Sequence, residues 1–226
     1  MMGEDRRMDD IEARRHQMVQ SQIAARGLGE QRLLAAFEAT PRHLFVPPKL
    51  RHLAYADRPL PIGHGQTISQ PYIVALMTSM LELQGTERVL DIGTGSGYQA
   101  AILARMCQEV HTVELVPELA ESAGNLLREL GLGNVHCHVG DGSLGWAGAA
   151  PYSGIVVTAA APHVPQPLLD QLAEGGRLVI PVGAQREQVL EAWDRRRDQF
   201  IRRAVTGVRF VPLRGRHGWS GKFRGV

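Results

Sequence analysis

The sequence predicts an α/β protein: a doubly wound, mostly parallel sheet with an N-terminal helical extension and antiparallel C-terminal strands. Three observations carry that reading. From Arg88 to Val182, short apolar runs alternate with helical segments, as in a parallel sheet covered on both faces. A glycine-rich turn, Gly93-Thr94-Gly95-Ser96-Gly97, joins the first of these strands to a helix. At 44% hydrophobic and 21% charged residues, the composition is that of an ordinary globular chain and rules out disorder throughout.

The elements follow in order. Residues 1–16 are mostly charged and read either as a frayed leader or as the start of a helix running through Met18, Val19, Ile23 and Ala24. Gly27 stops it, because glycine readily takes the left-handed cap conformation. A second helix spans Glu30 to Glu38, with Leu33, Leu34 and Phe37 on one face. Pro41, Pro47, Pro48, Pro59 and Pro61 then punctuate a long irregular segment, and irregular stretches of that length are commonly functional. Strands are expected at Arg88–Ile92, Val110–Glu114, Val135–Val139, Gly154–Thr158 and Arg177–Val182. Helices are expected at Tyr98–Cys107, Pro117–Leu130 and Pro165–Ala173, with Pro117 suited to a first helical turn. Gln188–Trp193 and Ala204–Val211 read as later, antiparallel strands. Residues 1–80 form an extension carrying a substrate-side segment and residues 81–226 the core, together one compact unit.

A net charge of +2 makes no electrostatic case for nucleic acid or an anionic membrane. The basic residues gather between Arg195 and Arg224, where only Asp198 opposes them. This reads as a solvated strand edge and basic tail ahead of a surface for acidic substrates. Two cysteines, Cys107 and Cys137, make no disulfide framework and fit a reducing, cytoplasmic setting. Residues 1–20 lack an apolar signal core, and no apolar run approaches the ~18 residues of a spanning helix.

The glycine turn carries the chemistry. It follows a strand and opens a helix, as a ligand-binding loop must. A dinucleotide fingerprint would place its third glycine where Tyr98 stands, and no Lys-Ser/Thr pair follows to make a phosphate loop. Asp91, ending the first strand, suits a ligand cation such as an α-amino or sulfonium group and would repel a pyrophosphate. Glu114, ending the second, can accept both hydroxyls of a ribose. Asp141, in Gly140-Asp141-Gly142 after the third, can accept from an adenine amino group. Three acids at three consecutive strand ends share one rim of the sheet, where open α/β folds bind ligands. Together with Gly93, Gly95 and Gly97 they point to S-adenosylmethionine. The bland alternative makes Asp141-Gly142 a plain turn and Glu114 a solvated strand end.

The most distinctive stretch precedes the turn: Tyr55-Ala56-Asp57, then Pro59-Leu60-Pro61-Ile62-Gly63-His64-Gly65-Gln66-Thr67-Ile68-Ser69-Gln70-Pro71-Tyr72. With Pro41–Pro47, Asp91–Tyr98, Val157–Pro162, Gly175–Gly183 and Val208–Leu213, it resembles the protein-L-isoaspartate O-methyltransferases over Met18 to Leu213. The resemblance implies a Rossmann-like methyltransferase fold. It also implies methyl transfer from S-adenosylmethionine to the free carboxylate of L-isoaspartyl residues in damaged proteins and peptides. The ester then closes to a succinimide that can reopen as normal aspartate. By the same resemblance Ser69 is the active-site serine, and Gln66, Thr67 and Ile68 flank the methyl donor. Gly93, Thr94 and Gly95 cradle its amino-acid end. Glu114 and Leu115 meet ribose and adenine, and Asp141-Gly142 the adenine edge. The chain departs from the family pattern at Ser153 and His163, and its Arg214–Trp219 tail is weakly matched.

Read on its own, Ser69 is a favoured N-cap for an apolar helix over Ile73–Leu81, and a helix start is also a carboxylate site. His136-Cys137-His138 sends both histidines to one strand face and the cysteine to the other; with no second cluster, no metal is expected. His64 reads as a loop residue, Trp193 and Trp219 as packing. Two other functions stay open. The first is a nucleic-acid or small-molecule methyltransferase; an adenine-N6 or cytosine-N4 enzyme would hold its target amine with an Asn/Asp-Pro-Pro-aromatic turn, whereas this chain has Thr158-Ala159-Ala160-Ala161-Pro162. A cytosine-C5 enzyme would need a Pro-Cys pair, and neither cysteine follows proline. A non-catalytic nucleotide-binding module could use the same rim. The expected partners are isoaspartyl proteins and peptides, met by a monomer, with no nucleic acid and no membrane.

Overall fold

Val89, Leu90, Asp91 and Ile92 are all buried, and they lie near the middle of a seven-stranded sheet. The computed structural model describes residues 2–184, 187–197 and 199–220. Its first half holds α1 (Met2–Met18), α2 (Gln31–Glu38), the hairpin β1 (Leu60–Gly63) and β2 (Gln66–Ile68), and α3 (Pro71–Ser79). The alternating part runs β3 (Arg88–Ile92), α4 (Tyr98–Ala104), β4 (Glu109–Glu114), α5 (Pro117–Glu129), β5 (Val135–Val139), β6 (Tyr152–Val157), α6 (Gln166–Asp170) and β7 (Leu172–Ala184). Strands β8 (Glu187–Arg196) and β9 (Gln199–Val208) close it.

The sheet order is β5-β4-β3-β6-β7-β8-β9. β3 to β7 are mutually parallel, and β8 and β9 antiparallel, as expected. The order reverses between β3 and β6, and at such a switch point the loops leave in opposite directions and open a crevice. One face is covered by the N-terminal part: Met18, Val19, Ile23, Leu33 and Phe37 share an apolar cluster with Tyr98, Ala101 and Ile102 of α4. The other face gathers Leu90, Ile92, Val113, Tyr152, Ile155 and Leu168.

The charged leader takes the helical of its two readings from Met2, and continues through a π turn over Val19–Ile23 and a 3-10 turn to Gly27, whose φ of 89° ends it. The structure differs from the sequence-based expectation in three places. Within the irregular segment, β1 and β2 pair across His64-Gly65, both at positive φ (52° and 68°), which is the backbone a two-residue hairpin demands. Helix α6 ends at Asp170 instead of Ala173, because Leu172 pairs with Tyr152 and starts β7 early. β9 ends at Val208, and the chain beyond it crosses to Ala160, which faces Pro212 in an isolated bridge. Of the basic stretch, Arg202, Arg203 and Arg209 are exposed, while Asp198, Lys222 and Arg224 lie outside the described residues. Among the described residues no helix is long and apolar enough to cross a membrane.

Candidate active site

The glycine turn leaves β3 at Gly93, whose φ is 96°. A Cβ there would stand 2.6 Å from Thr158 Oγ1, so both the backbone angle and the space require glycine. The Thr158 hydroxyl donates back to the turn, 2.7 Å from Gly93 O and 3.0 Å from Ile92 O, and so ties the ends of β3 and β6 together. Gly97, at φ 87°, starts α4. Glu114 is buried at the end of β4 and spans the turn: Oε2 accepts from Gly95 N at 2.8 Å, Oε1 from Val116 N at 3.0 Å. A carboxylate has about four acceptor sites, so two remain for a diol.

These groups wall a narrow cleft of about 80 Å³ at the switch point. Gln66 and Thr67 close it from β2, Leu115 and Gly142 from the rim, and Val211 to Arg214 from the chain after β9. A smaller void of about 30 Å³ beside it is lined by Ile68, Ser69, Thr94 and Gly95. On the far side of Ser69 a groove of about 980 Å³ opens between Arg26, Tyr72 and Ile73 and the ends of β8 and β9. Thr67 and Thr158 border all three spaces.

Two of the expected donor-site acids are placed elsewhere than in the cleft wall. Asp91 is fully buried beneath the turn, where Thr112 Oγ1 donates to Oδ2 at 2.9 Å and Oδ1 has no partner. Burial pushes its carboxyl up to about 7. Thr94, at the turn, meets Thr112 Oγ1 at 2.6 Å. Asp141 spends its carboxylate on the chain itself: Oδ1 accepts from Ser143 N (2.9 Å) and Oγ (2.6 Å), and Oδ2 accepts from Arg216 N (2.7 Å). It thereby pins the tail onto the rim, where Trp219 Nε1 also donates to Ala160 O at 3.1 Å.

Ser69 is not the N-cap of α3. That position belongs to Gln70, which Pro71 holds extended (φ −60°, ψ 146°), so the helix begins one residue too late for the Ser69 hydroxyl to reach it. Asp57 supplies the missing acceptor instead, taking Tyr72 N at 3.2 Å. Arg26 pairs with Asp57 at 3.0 Å and lies over the Tyr72 ring. The buried Arg42 donates to Ala54 O (2.8 Å) and Ser69 O (2.7 Å), fixing the serine from behind. Sequence reasoning missed Arg42, Thr158 and the Val211–Arg214 wall. Arg42 reads as one more surface cation until its burial is known, and the wall comes from a stretch expected to be strand and tail.

The fold and this cleft define an S-adenosylmethionine-dependent methyltransferase. The family profile for Protein-L-isoaspartate(D-aspartate) O-methyltransferase matches residues 13–218, and the chain belongs to that family. It is 52% identical over 214 residues to a protein-L-isoaspartate O-methyltransferase of Methanoculleus marisnigri, covering 95% of this chain and 97% of that one. It is 56% identical over 209 residues to the enzyme of the same name from Picosynechococcus sp., covering 92% and 93%. A solved protein-L-isoaspartate O-methyltransferase superposes with a TM-score of 0.82 at 28% identity, over 90% of this chain and 67% of that one.

Proposed function

We propose that the chain transfers the methyl group of S-adenosylmethionine to the free carboxylate of L-isoaspartyl residues, beginning their repair through a succinimide. The observation that carries this reading is the meeting of the rim cleft and a peptide-scale groove at Thr67 and Thr158, with Ser69 between the groove and the small void beside the cleft. Glu114 is the ribose acceptor. The backbone of Gly93, Thr94 and Gly95 takes the amino-acid end of the donor, and Leu115, Gly142 and Leu213 flank the base. Gln66, Thr67 and Ile68 stand between donor and acceptor. Asp91 and Gly97 act from below, by shaping the turn, and Asp141 acts by holding the tail. At about 80 Å³ the cleft is well short of the roughly 300–1,000 Å³ usual for a ligand pocket, so one wall yields when the donor enters.

When bound, the donor supplies a methyl group on a positively charged sulfur, whose departure as a neutral thioether needs no acid. The acceptor carboxylate, with a reference pKa of ~3.9, is already ionised at neutral pH and needs no base. The chain's task is therefore positioning: holding oxygen, methyl carbon and sulfur in line. Ser69 Oγ donates a hydrogen bond to the carboxylate and orients it. The carboxylate reading is favoured over amine methylation by Thr158, whose hydroxyl is committed to Ile92 O and Gly93 O. Ala159, Ala160 and Ala161 beside it offer a target amine only backbone. The thiols fit a reducing cytoplasm: Cys107 is buried and its pKa pushed up to about 12, so it is inert.

Labelled methyl transfer to an isoaspartyl peptide, with its aspartyl twin as control, tests the function. Label should enter only the isoaspartyl peptide and leave it in mild alkali, as a carboxyl ester does. Alkali-stable label, or equal labelling of both peptides, refutes it.

A further inference from the structure

At the opposite end of β4 from Glu114, the structure supplies what His136-Cys137-His138 lacked in the sequence. β4 and β5 run parallel with His111 beside His136, so Glu109, His111 and His136 present their side chains on one face. Cys137 points the other way, towards Gly124 of α5. We propose that Glu109, His111 and His136 form a site for a divalent transition-metal ion of the zinc class.

The two distances from the carboxylate are those a metal requires. Glu109 Oε1 lies 3.3 Å from His111 Nε2 and 3.2 Å from His136 Nε2. All three ligand atoms fall within 4.8 Å of one another. Bonds of ~2.0–2.1 Å to a tetrahedral zinc put its ligand atoms about 3.3 Å apart. The two imidazoles are stacked, with ring centres 4.9 Å apart. A second observation points the same way: His111 Nε2 is buried and, although Glu109 Oε1 lies 3.3 Å away, makes no well-aligned hydrogen bond. The outer contacts are also in place. The other nitrogen, His111 Nδ1, is 3.0 Å from His138 Nε2, so that with a metal on Nε2 it donates to His138. His138 is itself clamped against Trp146, ring centres 3.8 Å apart. Arg88 Nε donates to Glu109 Oε2 at 2.6 Å and leaves Oε1 to the ion. An open cleft lined by Thr86, Arg88, Asn134 and Ser153 gives access and room for a water as fourth ligand.

Two imidazoles and one carboxylate select zinc, nickel or copper over magnesium or calcium. The nearby Arg88 cation opposes a divalent ion and weakens its binding. The consequence is mechanical. β5 is an edge strand of the sheet, and the ion would staple it to β4 about 16 Å from Glu114, counting five residues of strand.

Zinc titrated calorimetrically into chelator-treated full-length protein should bind at one ion per chain. Cobalt in its place should give the intense visible absorption of a tetrahedral site. His136→Asn should abolish both, while His163→Asn, at an exposed position, should leave both intact. His136 is an exposed residue of an edge strand, so the variant keeps its packing and its methyl-transfer rate. Zinc at one hundred times its Kd should raise Tm by about 5–10 °C in the wild type and not in His136→Asn. No binding, or binding unaltered in His136→Asn, overturns the proposal.

Discussion

Ser69 stands two residues before α3 and is gripped through its carbonyl by Arg42, so the hydroxyl is positioned by backbone and not by its own side-chain contacts. The orienting role proposed for it predicts a bounded effect. Losing a hydrogen bond to a charged group costs roughly 1.5–3 kcal/mol, so Ser69→Ala should lose about 10- to 150-fold in kcat/KM. Because no proton is taken, the ratio of wild type to variant should stay constant between about pH 6 and 8. A ratio that climbs with pH would make Ser69 part of a base. Asp91 gives a second prediction. Its folded pKa is raised from 3.8 to about 7, so the folded state holds a proton that the unfolded chain gives up. Its contribution to stability is therefore complete below about pH 4 and lost as pH rises to about 7, a total of about 4 kcal/mol at ~1.4 kcal/mol per unit. Asp91→Asn lacks this loss. Urea unfolding of the two proteins from pH 4 to 8 should show the variant gaining on the wild type up to about pH 7 and level beyond. A difference independent of pH would show Asp91 ionised in the fold. At this scale the sequence was legible where a strand end fixes a residue's place, as at Glu114. It was illegible where a carboxylate is consumed by distant chain, as at Asp141 with Arg216.

The elements of the alternating region could be read within a few residues, since burial on both sides leaves β3 and β6 rich in Val, Leu and Ile. The hairpin β1–β2 could not: its strands have only four and three residues and include Pro61, too short for alternation to show. Its one signal was Gly63-His64-Gly65. The tail after β9 was also missed, because Asp141, Ser143 and Ala160, to which it binds, lie far back in the chain. That tail carries the element-scale prediction. Gly215 has a φ of 143°, and a Cβ there would stand 1.9 Å from Asp141 Oδ1. Gly215→Ala must therefore lift the tail off the rim and disturb the Val211–Arg214 wall. We expect KM for S-adenosylmethionine to rise about tenfold or more, a loss of ~1.4 kcal/mol, with little change in KM for the peptide. Equal changes in both would show that the tail serves the whole fold and not the donor cleft.

At the scale of the molecule, the order reversal between β3 and β6 places the crevice, and the sequence implied it through the run of strands with a glycine turn after the first. What it could not show is proximity between strands. His111 and His136 become neighbours only through the β4–β5 register, and the group that completes their cluster, Glu109, looks in sequence like any exposed acid. Nor does the extension pack by itself: Val19, Leu33 and Phe37 are buried in the same cluster as Ala101 and Ile102 of α4, so the extension and the alternating region share one core.

The wall formed by Val211–Arg214 has a bearing on how the protein is made. Every other wall of the donor cleft, from Gln66 to Ala159, lies earlier in the chain. On the ribosome these emerge first and can fold against each other, while the closing segment is still inside the exit tunnel. The nascent chain thus acquires the scaffold of the cleft before the cleft can close, which happens only as Arg216 settles onto Asp141.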